Sequence, residues 1–166
     1  ELSNTDKLSE FFEELKRLEI KVQRPCINEC FAEFIPYKNT LFYALGAIKS
    51  VGFEAVSQII KERETNGKFK SMSDFINRVN PKNINKLQLE GLVKAGAFDS
   101  IFKNRKTLHE NITNIIKNSK TIFENKAQNQ SSLFSDDNQK ISYLINEKKL
   151  PDWSEDETLS KEFESV

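Results

Sequence analysis

Leu45-Gly46-Ala47-Ile48-Lys49-Ser50-Val51-Gly52-Phe53-Glu54-Ala55-Val56-Ser57-Gln58-Ile59-Ile60-Lys61-Glu62-Arg63 is the stretch whose reading decides the fold. Ala55, Val56, Ile59 and Ile60 recur at helical spacing, which predicts a helix from Phe53 to Arg63 with one buried stripe. Lys49-Ser50-Val51-Gly52 reads as a tight hairpin between that helix and a short helix ahead of it. A turn this sharp needs a residue with positive φ, and Gly52 takes it without a Cβ penalty. The hairpin is expected to leave the amides of Val51, Gly52 and Phe53 unpaired at a helix start. Such amides, together with the helix dipole, favour an anion, and Lys49 adds a mobile cation beside them.

The pattern is that of a helix-hairpin-helix. Its amides can hold a nucleic-acid phosphate, which fixes position on a strand and reads no base. The plainer reading of the same residues is a glycine-stopped helix followed by another core helix.

Working outward, residues 5–18 read as an amphipathic helix with Leu8, Phe11, Phe12, Leu15 and Leu18 on one face. Ile20-Lys21-Val22 reads as a short strand and Cys30 to Ile35 as a second, with a turn at Pro36-Tyr37-Lys38-Asn39. On the other side Gly67 is expected to close the hairpin helix. Phe69 is expected to anchor back on it. Ser71-Met72-Ser73-Asp74 resembles a capping box that opens a helix over 71–79. A further helix is predicted over 83–95, with Ile84, Leu87, Leu92 and Val93 inward, so 71–95 forms a second helix pair. Lys82, Asn85 and Lys86 on that pair are candidate backbone contacts. Residues 105–126 read as a long amphipathic helix striped by Leu108, Ile112, Ile115, Ile116, Ile122 and Phe123. The lone His109 on it reads as a surface residue.

Leu133-Phe134 stands apart. It is an apolar pair in a polar stretch, Ala127 to Lys140, with no helical or strand period. It reads either as a linear docking motif for a pocket on a partner or as a pair folded back onto the helices. A helix from Asp156 onward opens with acids where the dipole favours them.

The 166 residues carry no net charge, yet the charge is unevenly placed. Residues 41–106 hold twelve Lys and Arg against six acids, a net of +6, whereas residues 129–166 hold four Lys against nine acids, a net of −5. A basic middle suits a polyanionic partner. Cys26 and Cys30 are the only cysteines, too few for a zinc site with His109 so distant, and free thiols suit a cytoplasmic setting. No apolar run reaches membrane-spanning length, so no membrane partner is expected. There is no phosphate-binding loop, dinucleotide fingerprint or nucleophile elbow, and no spaced carboxylate pair of the kind metal-dependent phosphoryl transfer requires. The start at Glu1 without Met and the end within a helix read as a piece of something larger.

Thr5-Asp6-Lys7-Leu8 with Phe12-Glu13-Glu14-Leu15-Lys16, then Pro25-Cys26-Ile27-Asn28, then Tyr43 to Gly52, then Leu92-Val93-Lys94-Ala95-Gly96-Ala97-Phe98-Asp99, and finally Trp153-Ser154 with Lys161-Glu162, resemble the bacterial replicative C-family DNA polymerases, the polymerase III alpha subunits. The resemblance is collinear over nearly the whole chain. It implies a mainly α fold, a tandem helix-hairpin-helix domain with a few short β-strands near the N-terminus and a flexible acidic C-terminal segment. Residues 1–40 would be the end of a fingers-type region, 41–103 the tandem helix-hairpin-helix DNA-binding region, 104–126 the long amphipathic helix, and 127–166 the clamp-binding motif and acidic tail.

The resemblance further implies a DNA- and clamp-binding portion of a DNA-directed DNA polymerase. Lys49, Ser50, Val51, Gly52, Phe53, Lys82, Asn85 and Lys86 would hold duplex DNA. In this family the hairpin normally has Gly where Ser50 stands. Gln130-Ser131-Ser132-Leu133-Phe134 resembles the internal sliding-clamp-binding pentapeptide. There Gln130 would enter a small pocket and Leu133 and Phe134 an apolar one, with Ser132 between. Other replicase subunits would bind through regions outside this chain. The family's Mg²⁺-holding aspartates belong to the palm, and none is carried over to this sequence, so the piece is expected to be inactive alone and without cofactor. Two other readings remain, a stand-alone helix-hairpin-helix module of a repair nuclease or ligase, and a purely structural helical scaffold. The first does not need Gln130 to Phe134, and the second predicts no DNA affinity.

Overall fold

A computed structural model describes residues 4–128 and 150–165. Among these the order is α1 (Asn4–Arg17), β1 (Lys21–Gln23), β2 (Ile35–Tyr37), β3 (Thr40–Phe42), a 3₁₀ turn (Leu45–Ala47), α2 (Phe53–Asn66), α3 (Met72–Arg78), α4 (Lys86–Lys94), α5 (Arg105–Ala127) and α6 (Glu155–Ser165). The fold is mainly helical with a small N-terminal sheet, as expected.

The three strands run in the order β1-β3-β2. β1 pairs in parallel with β3, Val22 opposite Leu41, and β2 pairs antiparallel with it, Pro36 opposite Leu41. This corrects the expected second strand at Cys30 to Ile35 and the turn at 36–39. Ile35 to Tyr37 is the strand and Lys38-Asn39 the turn, with Lys38 at φ 52°. Pro36 is tolerated because β2 is an edge strand, where a missing N–H need not break the ladder. Of the α1 stripe, Leu15 is buried, whereas Phe11 and Leu18 are exposed. The side chain of Leu8 lies outside the described residues.

The core lies between α2, α3, α4 and α5. Phe69 is 2% exposed, as expected of an anchor, and its ring meets Phe75, which in turn meets Phe98 edge-on at 5.0 Å. Leu108, Ile112, Ile115 and Ile122 bring the long helix onto this cluster. Ser71 caps α3 by accepting from the Asp74 amide. α4 begins at Lys86, three residues later than the apolar pattern suggests. Asn85 takes the N-cap in a reciprocal box with Gln88, and the cap fixes where the helix can start.

Two buried guanidinium groups hold the loops. Arg63 donates from Nη1 to the carbonyls of Ile27 at 2.8 Å and Cys30 at 2.6 Å, beneath the Phe31 ring. It therefore closes the loop between β1 and β2 onto α2. Arg105 bonds Asp99 on two oxygens, the Lys94 carbonyl and Glu162. The acidic helix α6 is thus docked on α4 and α5 through Arg105–Glu162 and Lys94–Glu164.

Candidate nucleic-acid interface

The hairpin is built by a single 3₁₀ turn rather than a full first helix. The Leu45 and Gly46 amides bond to the Phe31 and Ala32 carbonyls, which fixes the turn against the preceding loop. Ile48 and Val51 point inward, 2% and 0% exposed. The chain then reverses through two left-handed residues, Ser50 at φ 65° and Gly52 at φ 77°. Gly52 is the N-cap of α2 and has no side chain to offer as a cap. The first-turn amides of that helix stay open.

The expected donor set needs one correction. Val51 N–H is not free, because it donates to the Ile48 carbonyl at 3.2 Å. Its carbonyl is taken as well, by the Gln88 side-chain amide at 2.8 Å. Val51 holds the hairpin's shape, and among the described residues the Gly52 and Phe53 amides find no acceptor. Lys49 and Ser50 are exposed beside them, while the Lys49 amide itself donates to the Ser165 carbonyl.

One residue of the site was missed from the sequence. α4 lies along the hairpin with Gln88 at Val51 and Gly91 at Lys49, and a Cβ on Gly91 would stand 2.8 Å from the Lys49 carbonyl oxygen. Only glycine lets the two backbones approach this closely. The available signal was a glycine inside a helical apolar pattern, Leu89-Glu90-Gly91-Leu92, where it costs about 1 kcal/mol unless close packing repays it.

The other candidates are distributed. Asn85 is occupied as the α4 cap. Lys86 is exposed on the first turn of α4, 3.8 Å from Glu90. Lys82 lines a groove of about 530 Å³ with Asn80, Lys120 and Phe123, between the α3–α4 connection and α5. Leu87, expected inward, is 62% exposed, because the Asn85 cap sets the helix phase and puts Leu89 and Leu92 on the buried side instead. Gln130, Ser132, Leu133 and Phe134 lie outside the described residues.

The basic excess is also smaller than its count suggests. Arg63 and Arg105 are buried in internal bonds, and Arg78 is bound to Glu62, Asp74 and the Gly67 carbonyl over the Phe69 ring. Lys68 pairs with Glu29 and Lys94 with Glu164. Lys49, Lys61, Lys70, Lys82, Lys103 and Lys106 make no ion pair among the described residues. They are the cations open to an anionic ligand.

His109 is not on the open surface. Its ring lies 5.5 Å from Trp153, its Nε2 is buried without a partner among the described residues, and burial lowers its pKa below the usual value. Cys30 is buried as well, and desolvation pushes its thiol up to about 11.

Residues 19–108 match the helix-hairpin-helix motif family. The DNA polymerase III subunit alpha of Borreliella burgdorferi is 46% identical over 134 residues, 81% of this chain and 12% of that protein. That of Neisseria meningitidis serogroup A is 39% identical over 165 residues, 98% of this chain and 14% of that protein. That of Caulobacter vibrioides is 37% identical over 137 residues, 82% of this chain and 12% of that protein. The chain thus spans about an eighth of the length of these relatives. It belongs to the helix-hairpin-helix motif family, and nearly its whole length is similar to one stretch of the DNA polymerase III alpha subunits.

Proposed function

We propose that this chain is the duplex-DNA-gripping and clamp-tethering portion of a replicative DNA-directed DNA polymerase. The observation that carries the DNA reading is the open pair of amides at Gly52 and Phe53, exposed on a hairpin next to Lys49. Amides recognise the phosphate common to every nucleotide, so the grip is independent of sequence, as copying any template requires. Lys82 and Lys86 extend the same interaction along the backbone. A grip made of phosphate contacts weakens with salt as counterions are released, by about 0.9 in log K per log salt for each phosphate neutralised.

The clamp reading rests on the resemblance of Gln130-Ser131-Ser132-Leu133-Phe134 to a clamp-binding pentapeptide. Tethering to a ring around DNA raises the local concentration of a weak grip and makes it processive. A cytoplasmic setting follows from the replicative role, and contacts with other replicase subunits are assigned outside this chain. Among the described residues no helix is long and apolar enough to cross a membrane. Nor does any group of three or more His, Cys, Asp or Glu there fit a metal ion. The Mg²⁺ chemistry of the parent polymerase belongs to its palm.

The test has two arms. Fluorescence anisotropy with a duplex oligonucleotide at rising salt should show binding that falls with salt, weaker in Lys49→Ala. Binding that is absent, or indifferent to salt, overturns the DNA reading. Calorimetry with a bacterial sliding clamp should show micromolar binding that is lost in the Leu133→Ala, Phe134→Ala double variant. DNA binding without clamp binding would favour a stand-alone helix-hairpin-helix module of a repair nuclease or ligase.

A further inference from the structure

Two apolar side chains on the elements that frame the open amides are turned to solvent. Phe53, the residue after the Gly52 cap, is 58% exposed, and Leu87, on the first turn of α4, is 62% exposed. Both flank the hairpin. Gln88, the neighbour of Leu87, donates its side-chain amide to the Val51 carbonyl two residues before Phe53, and Gly91 packs at Lys49, so the first turn of α4 adjoins the hairpin that leads into Phe53. Residues 49–53 and 82–88 hold Lys49, Lys82 and Lys86 and no carboxylate; the next acids along the chain are Glu54 and Glu90, the latter facing Lys86, and the acidic helix α6 meets the hairpin at the Ser165 carbonyl, on the Lys49 amide. This is an apolar pair inside a cationic surround, beside donors that suit a phosphate.

We propose that Phe53 and Leu87 pack on the deoxyribose faces that border the gripped phosphate in duplex DNA, so that this surface binds by apolar contact as well as by charge. The inference rests on the DNA reading above. The chemistry matches at short range, since each backbone phosphate is flanked by sugars whose carbon faces are the apolar part of the groove wall. A side chain on the residue whose amide meets the phosphate reaches the neighbouring sugar. Minor-groove binding proteins also set apolar side chains against DNA, there as wedges between base steps. The lysines confine the occupant to a polyanion, which an apolar protein surface is not.

The contribution has a signature that distinguishes it from charge. Removing a cation lowers the salt slope by about one for each phosphate left unneutralised, whereas removing an apolar side chain shifts affinity equally at every salt. The experiment is the salt dependence of duplex binding by the 166-residue chain and its Phe53→Ala, Leu87→Ala, Phe53→Leu and Lys49→Ala variants, with folding checked by circular dichroism. We expect Phe53→Ala and Leu87→Ala to weaken binding roughly three- to tenfold with parallel salt plots, Phe53→Leu to restore most of it, and Lys49→Ala to flatten the slope. Wild-type binding that both alanine variants retain in full overturns this inference and leaves the DNA reading standing. A changed slope in the alanine variants also overturns it, since they would then act through the hairpin's amides. A wild-type chain that fails to bind duplex overturns the DNA reading and this inference with it.

Discussion

The amide of Lys49 donates to the carbonyl of Ser165 at 2.8 Å, joining the hairpin to the last turn of α6, 116 positions further along the chain. Two ion pairs hold that helix in place, Lys94 with Glu164 at 3.3 Å and Arg105 with Glu162 at 2.7 Å. The second is the stronger anchor, because the Arg105 side chain is 11% exposed and also bonds Asp99 and the Lys94 carbonyl. Glu162→Gln is expected to cost about 1 kcal/mol, the loss of charge in a partly buried hydrogen-bonded pair. It should speed hydrogen exchange at the Lys49 amide and leave exchange in the middle of α5 unchanged. Unchanged exchange at Lys49 would mean that α6 is held by something other than this pair. Arg105→Ala should cost more, about 3 kcal/mol in urea unfolding, because two carboxylates then lose a partly buried partner.

Ser50 stands at φ 65° with a Cβ, a conformation that costs an ordinary residue about 1 kcal/mol or more. Ser50→Gly removes that strain, and the greater freedom of glycine in the unfolded chain offsets part of the gain. The expected net is about 0.5–1 kcal/mol of stabilisation, read as a rise in Tm with duplex affinity unchanged or slightly higher. Gly52→Ala is expected to go the other way by about 1–3 kcal/mol. Nothing lies within 4 Å of its would-be Cβ, so the cost would come from the backbone alone.

Arg63 replaces two missing backbone partners, those of the Ile27 and Cys30 carbonyls. Arg63→Met keeps much of the volume and leaves both carbonyls unsatisfied, so it should cost about 2–4 kcal/mol by chemical denaturation. The same variant frees the loop that shelters Cys30. With its thiol held at about 11 by burial, Cys30 should resist alkylation at pH 8 in the native chain and react faster in Arg63→Met. Equal rates in the two proteins would show that the loop is held without the guanidinium.

What the sequence made legible follows from the range of the forces involved. Gly52, Gly67 and the Ser71 cap are set by neighbours a few residues away, and each falls where local chemistry puts it. The apolar stripe of α5 is equally local, read from Leu108, Ile112, Ile115 and Ile122. The strand at Thr40–Phe42 was not legible, because three residues take strand geometry only through pairing with Lys21–Gln23 and Ile35–Tyr37 on either side. The pairing of Val51 N–H with Ile48 depends on how tightly the hairpin closes, which Gln88 and Gly91 on another helix decide. The placement of the basic residues was the largest gap. Arg63, Arg78 and Arg105 count as cations along the chain and are structural donors in three dimensions.

His109 supplies a pH dependence that can be isolated, since it is the only histidine in the chain. Its ring lies against Trp153 under the approach to α6, with Glu90, Lys94, Glu110 and Lys161 as the charged groups that act on it. Burial disfavours the imidazolium, so the folded-state pKa lies below the unfolded value of about 6.5. As pH falls through about 6.5 the unfolded chain takes up a proton that the folded chain still refuses, and stability falls. The loss stops growing once pH passes the lowered folded-state value, where both states carry the proton. Above about pH 7.5 neither state does, and the contribution is nil. Urea unfolding at pH 7.5, 6.5 and 5.5 should therefore show a decline in the native chain. His109→Gln should be nearly flat over the same window. A variant that declines as steeply as the native chain would place the proton uptake elsewhere and remove His109 from the account.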